Sequence, residues 1–361
     1  MVHSGALPHT AIVPPFLLSR IAEHAEPRFA QAAVAARATL ARDPRVSAGR
    51  AALRLDVEAG SLVAEVVAAP DRTISDAEGR EDLPGVPVRH EDDDPVADPA
   101  VNEAFDGLGA TFELLWEAFE RASFDGRGSA LFATVHYGRD YDNAFWDGER
   151  MVFGDGDGEI FRGFTGSVSV IGHELGHGVI QHASGLVYEG QSGALNESIA
   201  DVLGALTEQR MRGQSADEAT WLIGAGIFTD AVEGVALRSM REPGTAYDDD
   251  VLGRDPQPAH MRDYVETTED NGGVHINSGI PNRAFAVTAL ALGGFAWERA
   301  GRVWYGALTS GLSPTADFAA FADATLVAAE AEYGEEPEVA DAVRAGWVAV
   351  GVWQDERSLD D

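Results

Sequence analysis

Hydrophobic positions alternate with polar ones over the first half of the chain and recur at helical spacing over most of the second half. Alternation around Gly60 and in residues 131–138 is typical of β-strands. Residues 141–161 predict a strand, a turn at a Gly-Asp repeat and a second strand. After residue 170 the pattern is mostly helical to the end of the chain. The pattern predicts an α+β chain with a β-rich half, a connecting helix and a helical half.

Two further segments precede the predicted strand at residues 131–138. Residues 70–99 are rich in turn-forming and acidic residues, which predicts hairpins or a long surface loop. Residues 101–122 have the apolar spacing of an amphipathic helix. The apolar face of that helix consists of Phe105, Leu108, Phe112, Leu115, Trp116 and Phe119.

The first 50 residues have a pattern of their own. Pro14-Pro15 predicts a stiff extended segment, after which Ser19 is expected to cap a short helix over residues 20–26. An alanine-rich run predicts a second helix over residues 28–42, which Asp43-Pro44 would end.

The composition indicates the number of domains, the residue types that could bind a metal and the partners that can be excluded. The 361 residues and 45% hydrophobic content favour two domains over one. No cysteine is present, so a metal would have to be held by His, Asp or Glu. The formal net charge is −34, with arginine as the only strong base, and such a field repels nucleic acids and anionic membranes. We therefore exclude both as partners.

The sequence contains no membrane-spanning run and only a weak candidate for an export signal. No stretch of about 18 apolar residues occurs. The N-terminal apolar stretch is short, is broken by Pro14 and Pro15, and has no basic segment before it. We therefore expect neither a Sec signal nor a transmembrane segment, which leaves secretion by another route and a cytoplasmic location open.

The strongest candidate for chemistry is IGHELGHGVI at residues 171–180. Residues four apart share one face of a helix, so His173 and His177 can bind one ion. Glu174 points about a quarter-turn away, where it can reach a water molecule on that ion. Gly172, Gly176 and Gly178 each cost about 1 kcal/mol of helix propensity. Glycines here would allow another segment or the ion to approach closely.

LNESIAD at residues 195–201 supplies the third ligand that a catalytic zinc requires. Glu197 and Asp201 are again four apart on one helix face. Glu197 can ligate the ion, and Asp201 can accept the N–H of a zinc-bound histidine. The two segments together predict a zinc site with one position left for water.

Several motifs resemble, in order and spacing, those of thermolysin-like zinc metallopeptidases. They are HELGH, GLVYEGQSGALNESIAD, NAFWDG, LRSM, DNGGVHINSG and the C-terminal stretch from YGALTSGLSPTADF to AVGV. The resemblance covers residues 70–361. IVPPFLLSRIAEHA resembles the short prosegment of the protealysin-like branch. The resemblance implies a two-lobed fold with a β-rich N-terminal lobe, a central zinc-binding helix and a helical C-terminal lobe.

The resemblance also implies a role for each matching residue. His173, His177 and Glu197 would bind one zinc ion, and Glu174 would be the general base. Asp201 and Asn196 would form hydrogen bonds with the ligands on the side away from the zinc. Tyr188 and His275 would donate to the developing oxyanion, and Asp270 would orient His275 and favour its charged form.

Substrate-binding positions follow from the same resemblance. Asn143 and the Ala144 carbonyl would bind the peptide backbone, Arg238 would bind the carbonyl beyond the scissile bond, and Trp146 would pack nearby. The implied pocket is apolar, which predicts cleavage on the N-terminal side of a bulky hydrophobic residue. It is formed by Phe161, Phe164, Val170, Ile223, Ile227 and Leu237.

The sequence differs from the secreted members of this family at the positions that bind calcium. The positions that match the paired calcium site of the secreted members retain a single acid, Glu208, and calcium needs six to eight oxygen ligands. We therefore expect that paired site to be absent and leave calcium binding elsewhere open. The other matching positions hold Ser169, Thr220, Leu222 and Ala225.

The resemblance predicts three segments and a zymogen. Residues 1–60 would form a prosegment that inhibits in cis, with Phe16-Leu17-Leu18 anchored beside the cleft. Residues 61–188 would form the N-terminal lobe with the HELGH helix, and residues 189–361 the C-terminal lobe. Self-cleavage requires an apolar residue after the cut, for which the candidates are Leu53, Leu55, Leu62 and Val63.

Two other functions fit parts of the pattern. A zinc aminopeptidase has related helices, but it needs acidic residues that bind a free amine, and we find no such motif. A zinc-stabilised binding protein would be expected if Glu174 or His275 were replaced, and neither is. We favour a zinc endopeptidase that acts as a monomer on peptides or proteins.

Overall fold

The computed structural model describes residues 10–24, 26–42 and 69–354. The predicted strand region around Gly60 and the candidate cleavage positions Leu53, Leu55, Leu62 and Val63 lie outside these residues. Within them, the segment predicted to be a prosegment forms one strand and two helices, and a β-rich lobe and a helical lobe follow it. No helix in this part of the chain is both long and apolar enough to cross a membrane.

One six-stranded sheet organises the N-terminal lobe. The strand order is β1-β5-β6-β4-β2-β3, in which β4 runs parallel to β2 and β6 and the other neighbours are antiparallel. The edge strand β1 comes from the prosegment and pairs with β5. The predicted strands form a single sheet. The strand pair predicted over residues 141–161 is β5 and β6, but the turn was misplaced, because residues 147–150 join the two strands and the Gly-Asp repeat at residues 154–158 follows β6. The strands are β1 (Thr10–Ala11), β2 (Arg72–Asp76), β3 (Val86–His90), β4 (Leu131–Val135), β5 (Ala144–Trp146) and β6 (Met151–Phe153).

Ten helices account for most of the remaining regular structure in the described residues. They are α1 (Pro15–Glu23), α2 (Ala30–Ala41), α3 (Pro99–Phe119), α4 (Val168–Ala183), α5 (Gly190–Arg212), α6 (Asp270–Asn277), α7 (Gly279–Leu292), α8 (Ala300–Thr309), α9 (Phe318–Glu332) and α10 (Pro337–Ala349). Short 3₁₀ helices occur at Pro27–Phe29, Phe164–Gly166 and Met261–Asp263.

The helix predicted over residues 101–122 is confirmed as α3. Asp98 caps it by accepting the Ala100 N–H at 2.9 Å, and Pro99 occupies the first position, where its missing N–H costs nothing. Trp116 is partly exposed and the other five residues of the predicted face are buried. The α3 helix thereby covers the sheet on one side and contacts α4 and α5 on the other.

The first helix begins earlier than the sequence indicated. Ser19 does not cap it, because α1 begins at Pro15, whose fixed φ suits the first helical turn. This earlier start places Leu17, Leu18 and Ile21 on one buried face. The predicted alanine-rich helix is confirmed as α2.

Residues 213–269 contain no α-helix and only one short 3₁₀ helix, so the expectation of a mostly helical second half was wrong there. Positive φ angles at Gly224, Gly244 and Gly253 favour turns over helix. Asp255 accepts the N–H groups of Gly244, Ala246 and Gln257, so side chains satisfy the backbone. The only strands in this region are the antiparallel pairs β7 (Leu222–Ile223) with β8 (Arg238–Ser239) and β9 (Asp248–Asp249) with β10 (Gly253–Arg254).

A buried carboxyl group lies where the prosegment meets the sheet. Asp142 precedes β5, has 0% of its surface exposed, and has no hydrogen-bond partner for either carboxyl oxygen within the described residues. Its backbone N–H donates to Thr39 Oγ1 of α2 at 3.1 Å. Burial, assisted by the nearby Asp157 carboxylate, raises the pKa of Asp142 to about 9.

This buried acid predicts a pH-dependent stability. The folded chain keeps a proton on Asp142, whereas the unfolded chain releases it near pH 4, so its contribution to stability is lost as pH rises toward 9. Asp142→Asn cannot ionise, and we expect it to raise the melting temperature by several degrees at pH 8 but little at pH 4. The control Asp82→Asn changes an exposed residue, and its effect on the melting temperature should be the same at both pH values. An equal effect of Asp142→Asn at pH 4 and pH 8 would contradict this assignment.

Candidate active site

The site depends first on the close approach of α4 and α5. A Cβ atom added at Gly172 would lie 2.9 Å from the Gly204 Cα, and one added at Gly204 would lie 2.3 Å from the Ser169 carbonyl oxygen. At Gly176 the same atom would lie 3.0 Å from the Ala200 Cα. Glycine is therefore required where the two helices cross, as its occurrence in a helix had suggested.

This crossing brings together the three predicted ligands. The Nε2 atoms of His173 and His177 are 3.0 Å apart, and they lie 3.6 and 3.5 Å from the two carboxylate oxygens of Glu197. Ligand atoms at roughly 2.0–2.1 Å from a tetrahedral zinc are about 3.3–3.4 Å from one another. The three side chains are thus spaced to hold one small cation, and all three are buried.

The hydrogen bonds behind the histidines fix their tautomers. His173 Nδ1 lies 2.8 Å from Asp201 Oδ1, which can only accept, and His177 Nδ1 lies 2.8 Å from Asn196 Oδ1. Both Nε2 atoms therefore present lone pairs to each other. Burial lowers the pKa of His173 to about 4 and that of His177 to about 3, so both rings are neutral at pH 7. Two converging lone pairs fit a cation between them.

Glu197 completes this donor set. One of its oxygens accepts a hydrogen bond from the Tyr188 hydroxyl, and the other has no hydrogen-bond partner among the described residues. Its side chain has 0% of its surface exposed. An unpartnered carboxylate oxygen in a dry site is costly unless a cation satisfies it. The residues present therefore fit a bound zinc.

Glu174 lies in the same dry region but does not belong to the ligand set. It is fully buried, and neither carboxyl oxygen has a hydrogen-bond partner within the described part of the chain. Burial raises its pKa well above the ordinary value, and the Glu197 carboxylate adds to the shift. A carboxyl group whose pKa is raised in this way is a candidate to take up and release a proton during a reaction.

His275 lies on the other side of the Tyr188 hydroxyl. Its Nδ1 is 2.6 Å from Asp270 Oδ1, its backbone N–H donates to Asp270 Oδ2 at 3.0 Å, and its Nε2 is 3.2 Å from the Tyr188 hydroxyl. Burial alone would lower its pKa, but the Asp270 and Glu197 carboxylates raise it to about 9. The imidazole is therefore positively charged at neutral pH and can donate from Nε2.

Asp201 connects the histidines to Arg238. Its carboxylate accepts from Arg238 Nε at 2.9 Å and Nη2 at 2.8 Å, in addition to His173. Burial alone would raise its pKa, but the Arg238 guanidinium and His173 hold it well below its usual range. Asn282 Nδ2 also donates to Asp201, at 2.8 Å. All lone pairs of this buried carboxylate have suitable donors.

The edge of the sheet beside these groups is occupied by the chain itself. Thr10 and Ala11 form β1, which pairs antiparallel with β5, and Ile12 and Val13 follow it along the same edge. Asn143 binds Val13 at both polar atoms, accepting from its N–H at 2.8 Å and donating to its carbonyl at 3.2 Å. The Ile12 N–H donates to the Ala144 carbonyl at 3.1 Å, and Arg238 Nη1 donates to the Ile12 carbonyl at 3.0 Å. The predicted substrate-backbone residues therefore all bind a peptide backbone.

The predicted pocket residues are all buried. Phe161 and Phe164 have ring centroids 5.7 Å apart, and the Leu237 N–H donates to the Ile223 carbonyl at 3.0 Å. The Ile12 side chain has 0% of its surface exposed and belongs to the same apolar core. The pocket residues in this core are Phe161, Phe164, Val170, Ile223, Ile227 and Leu237.

Comparison with protein families agrees with this geometry. Residues 74–181 match the model "Thermolysin metallopeptidase, catalytic domain", and residues 184–352 match "Thermolysin metallopeptidase, alpha-helical domain". The chain belongs to the thermolysin family of metallopeptidases. It is thus a peptidase, the resemblance inferred from the motifs is confirmed, and the family's dependence on zinc agrees with the donor set.

Individual relatives and a solved structure support the same assignment. The chain is 52% identical over 283 residues to an extracellular metalloprotease of Pectobacterium carotovorum subsp. carotovorum, covering 78% of this chain and 81% of the relative. It is 48% identical over 292 residues to protease PrtS of Photorhabdus sp. (strain Az29), covering 80% and 78%. The solved precursor of protealysin, a metalloproteinase from Serratia proteamaculans, superposes with a TM-score of 0.85 at 47% identity, covering 95% of this chain and 100% of that structure. The thermolysin-like fold is thereby confirmed.

The positions that match the paired calcium site of other family members hold few acids. Glu208 forms an ion pair with Arg212 at 2.9 Å. Ser169 Oγ accepts the N–H of Gly224 at 3.1 Å, so it also has a partner. The absence of a paired calcium site remains a prediction.

Sequence reasoning missed two groups of functional residues in this thermolysin-family site. Asn282 was missed, although an asparagine in the apolar run of α7 is itself a signal, because buried polar groups need partners. Residues 10–13 were also missed, because the apolar run Phe16-Leu17-Leu18 was the stronger signal; these three residues lie in the first turn of α1, and their anchoring role stays a prediction. Trp146 packs as expected, on Phe124 and Gly178, and its Nε1 donates to Gln181 at 3.0 Å.

The helix crossing yields a prediction about metal binding. In Gly204→Ala the new methyl group would overlap the Ser169 carbonyl, so α4 and α5 must separate. We expect a loss of about 1–3 kcal/mol of stability and less than one zinc per chain, measured by thermal unfolding and elemental analysis. The control Gly166→Ala has open space around the added atom and should keep both values. A Gly204→Ala protein with native stability and full zinc content would contradict the requirement.

Proposed function

We propose that this chain is a zinc-dependent endopeptidase, made as a zymogen, that cuts on the N-terminal side of bulky hydrophobic residues. The observation that carries the proposal is the extended segment of the chain bound beside the metal-binding residues. Residues 10–13 pair with the edge of the sheet and with Asn143 and Arg238 through backbone atoms. A cleft that binds a peptide by its backbone suits many sequences, as a general peptidase requires.

The chemistry proposed for the site divides among its residues. Zinc held by His173, His177 and Glu197 would supply a Lewis acid beside the scissile carbonyl and make water nucleophilic near neutral pH. Glu174 would take a proton from the attacking water and pass it to the leaving amine. Asp201 and Asn196 would keep the ligand nitrogens free of protons.

The charge that develops on the carbonyl oxygen needs donors. His275, held in its charged form by Asp270, and the Tyr188 hydroxyl lie 3.2 Å apart and converge on one place. Removal of one such donor typically lowers the rate about 100–1000-fold. Asn143, Ala144 and Arg238 would position the backbone, as they do for residues 12 and 13.

The pocket supports the proposed preference for a bulky apolar residue after the cut. Its six lining side chains are apolar and buried. The buried side chain that follows the Ala11 carbonyl in the prosegment is Ile12, which has the proposed character. Phe and Leu would be favoured over small side chains by about 1–3 kcal/mol.

The path of the prosegment favours an endopeptidase over an aminopeptidase. Thr10 pairs with Trp146 and Ala11 with Phe145, so the chain continues past His275 toward its N-terminus. An aminopeptidase would close the cleft at that end and bind a free amine there. A binding protein without activity would have no use for the buried, unpartnered Glu174 carboxyl.

We also propose the segment functions. Residues 1–60 would form the inhibitory prosegment, residues 61–188 the β-rich lobe and residues 189–361 the helical lobe. The prosegment would inhibit by occupying the cleft with residues 10–13, and α1 and α2 would hold it there. Substrates would be peptides or proteins acted on by a monomer.

Glu174→Gln tests the assignment of the general base. Because glutamine cannot carry the proton, we expect kcat/KM for a blocked peptide to fall by about 10²–10⁴-fold without loss of bound zinc. Each variant is assayed after wild-type enzyme has cut its prosegment and has itself been removed by an affinity tag. Phenanthroline should abolish the wild-type activity.

The matched control for this test is Glu330→Gln, the same change on the exposed surface of α9. It should cleave the blocked peptide at the wild-type rate. Cleavage of only unblocked peptides would favour the aminopeptidase, and no cleavage of any peptide by zinc-loaded mature protein would favour the binding protein.

A further inference from the structure

The prosegment strand lies in the cleft with a defined polarity and register. It is antiparallel to β5, and three consecutive backbone groups have partners on the enzyme. The Ala11 carbonyl lies 3.0 Å from His275 Nε2, the Ile12 N–H donates to Ala144, and the Ile12 carbonyl accepts from Arg238. These are contacts that a peptide substrate needs on both sides of one peptide bond.

That bond joins Ala11 to Ile12. Its carbonyl oxygen faces the charged imidazole of His275, where a donor would stabilise an oxyanion. Its N–H donates to the Ala144 carbonyl at 3.1 Å, so both groups of this amide have partners in the cleft. An oxyanion donor thus faces the carbonyl of the amide, and the edge of the sheet holds its nitrogen.

The two peptide bonds that follow are less suitable for hydrolysis. The Ile12 carbonyl is bound by Arg238 rather than by His275, so it faces the guanidinium and not the oxyanion donors. The following bond, between Val13 and Pro14, has no amide hydrogen and a rigid leaving group. Ile12 also provides the buried apolar side chain expected after the cut.

We propose that Ala11–Ile12 is a cleavage site for the chain's own active site, hydrolysed in cis before the prosegment leaves. The inference rests on the proposed function. Water adds its oxygen to the Ala11 carbonyl carbon, the C–N bond breaks, and Glu174 carries a proton to the Ile12 nitrogen. The products are a carboxylate on Ala11 and an α-amine on Ile12.

The remaining prosegment stays bound after this cut. Asn143 still holds Val13 at two atoms, and α1 keeps Leu17, Leu18 and Ile21 buried. Residues 1–11 are released, while the new N-terminus at Ile12 stays in the cleft as a bound product, held by Ala144 and Arg238. The trimmed chain is therefore still latent, and full activation requires a later cut that frees the helices.

The experiment is zinc loading of the full chain, followed by intact mass and labelling of new α-amines. We expect a first-order loss of residues 1–11, a new N-terminus at Ile12, and one ¹⁸O atom in the released peptide when the reaction runs in H₂¹⁸O. The rate should not change over tenfold dilution. Glu174→Gln should keep residues 1–11, and the trimmed wild-type chain should keep its melting temperature and its low activity on a blocked peptide.

Two variants of residue 12 test the register. Ile12→Leu should be cut at the same bond at a similar rate, whereas Ile12→Gly should be cut at least about tenfold more slowly. Melting temperatures establish that both variants fold. Equal rates for the two variants would overturn the register.

The remaining outcomes separate this inference from the proposed function. If mature enzyme cleaves a blocked peptide but the full chain keeps the Ala11–Ile12 bond, the inference fails and the proposed function stands. A rate that rises with concentration would overturn cleavage in cis. If mature enzyme cleaves nothing, both fail.

Discussion

The carboxylate of Asp201 is the interaction on which the rest of the site depends. It accepts from His173, from two nitrogens of Arg238 and from Asn282, all within 2.9 Å. Through His173 it sets the tautomer that a metal ligand needs, and through Arg238 it orients the donor that binds the Ile12 carbonyl. One buried charge thus fixes the metal site relative to the peptide. Removal of such a partner leaves uncompensated charge in a dry interior, which typically costs about 3–5 kcal/mol.

The dryness of the cleft gives these groups their properties. His173 and His177 are neutral, His275 is charged and Glu174 is protonated more easily than usual, although all four lie in one small region. The differences follow from local partners, because Asp270 faces only His275 while Glu174 has no hydrogen-bonding neighbour among the described residues. Acid and base roles are separated by environment rather than by residue type.

The sequence predicted the parts of the site that follow from local spacing. His173, His177, Glu197 and Asp201 lie on helix faces that a four-residue repeat predicts, and the glycines of α4 do mark a close helix crossing. It could not predict the occupant of the cleft, because the pairing of residue 11 with residue 145 depends on the whole fold. It also missed the irregular region of residues 213–269, where side chains such as Asp255 replace helical hydrogen bonds.

Two kinds of contact hold the prosegment against the rest of the chain, and their magnitudes decide which one contributes more to its binding. Arg20 and Arg28 face Asp230, Glu233 and residues 248–250 across a cavity of about 550 Å³. Exposed charge pairs contribute about 0–1 kcal/mol each and weaken with salt. A fully buried Leu, Ile or Phe contributes about 1.5–3 kcal/mol, and the prosegment buries Leu17, Leu18, Ile21 and Phe29. Apolar burial therefore contributes more than the exposed charges to the binding of this segment, so we expect added salt to weaken that binding only slightly.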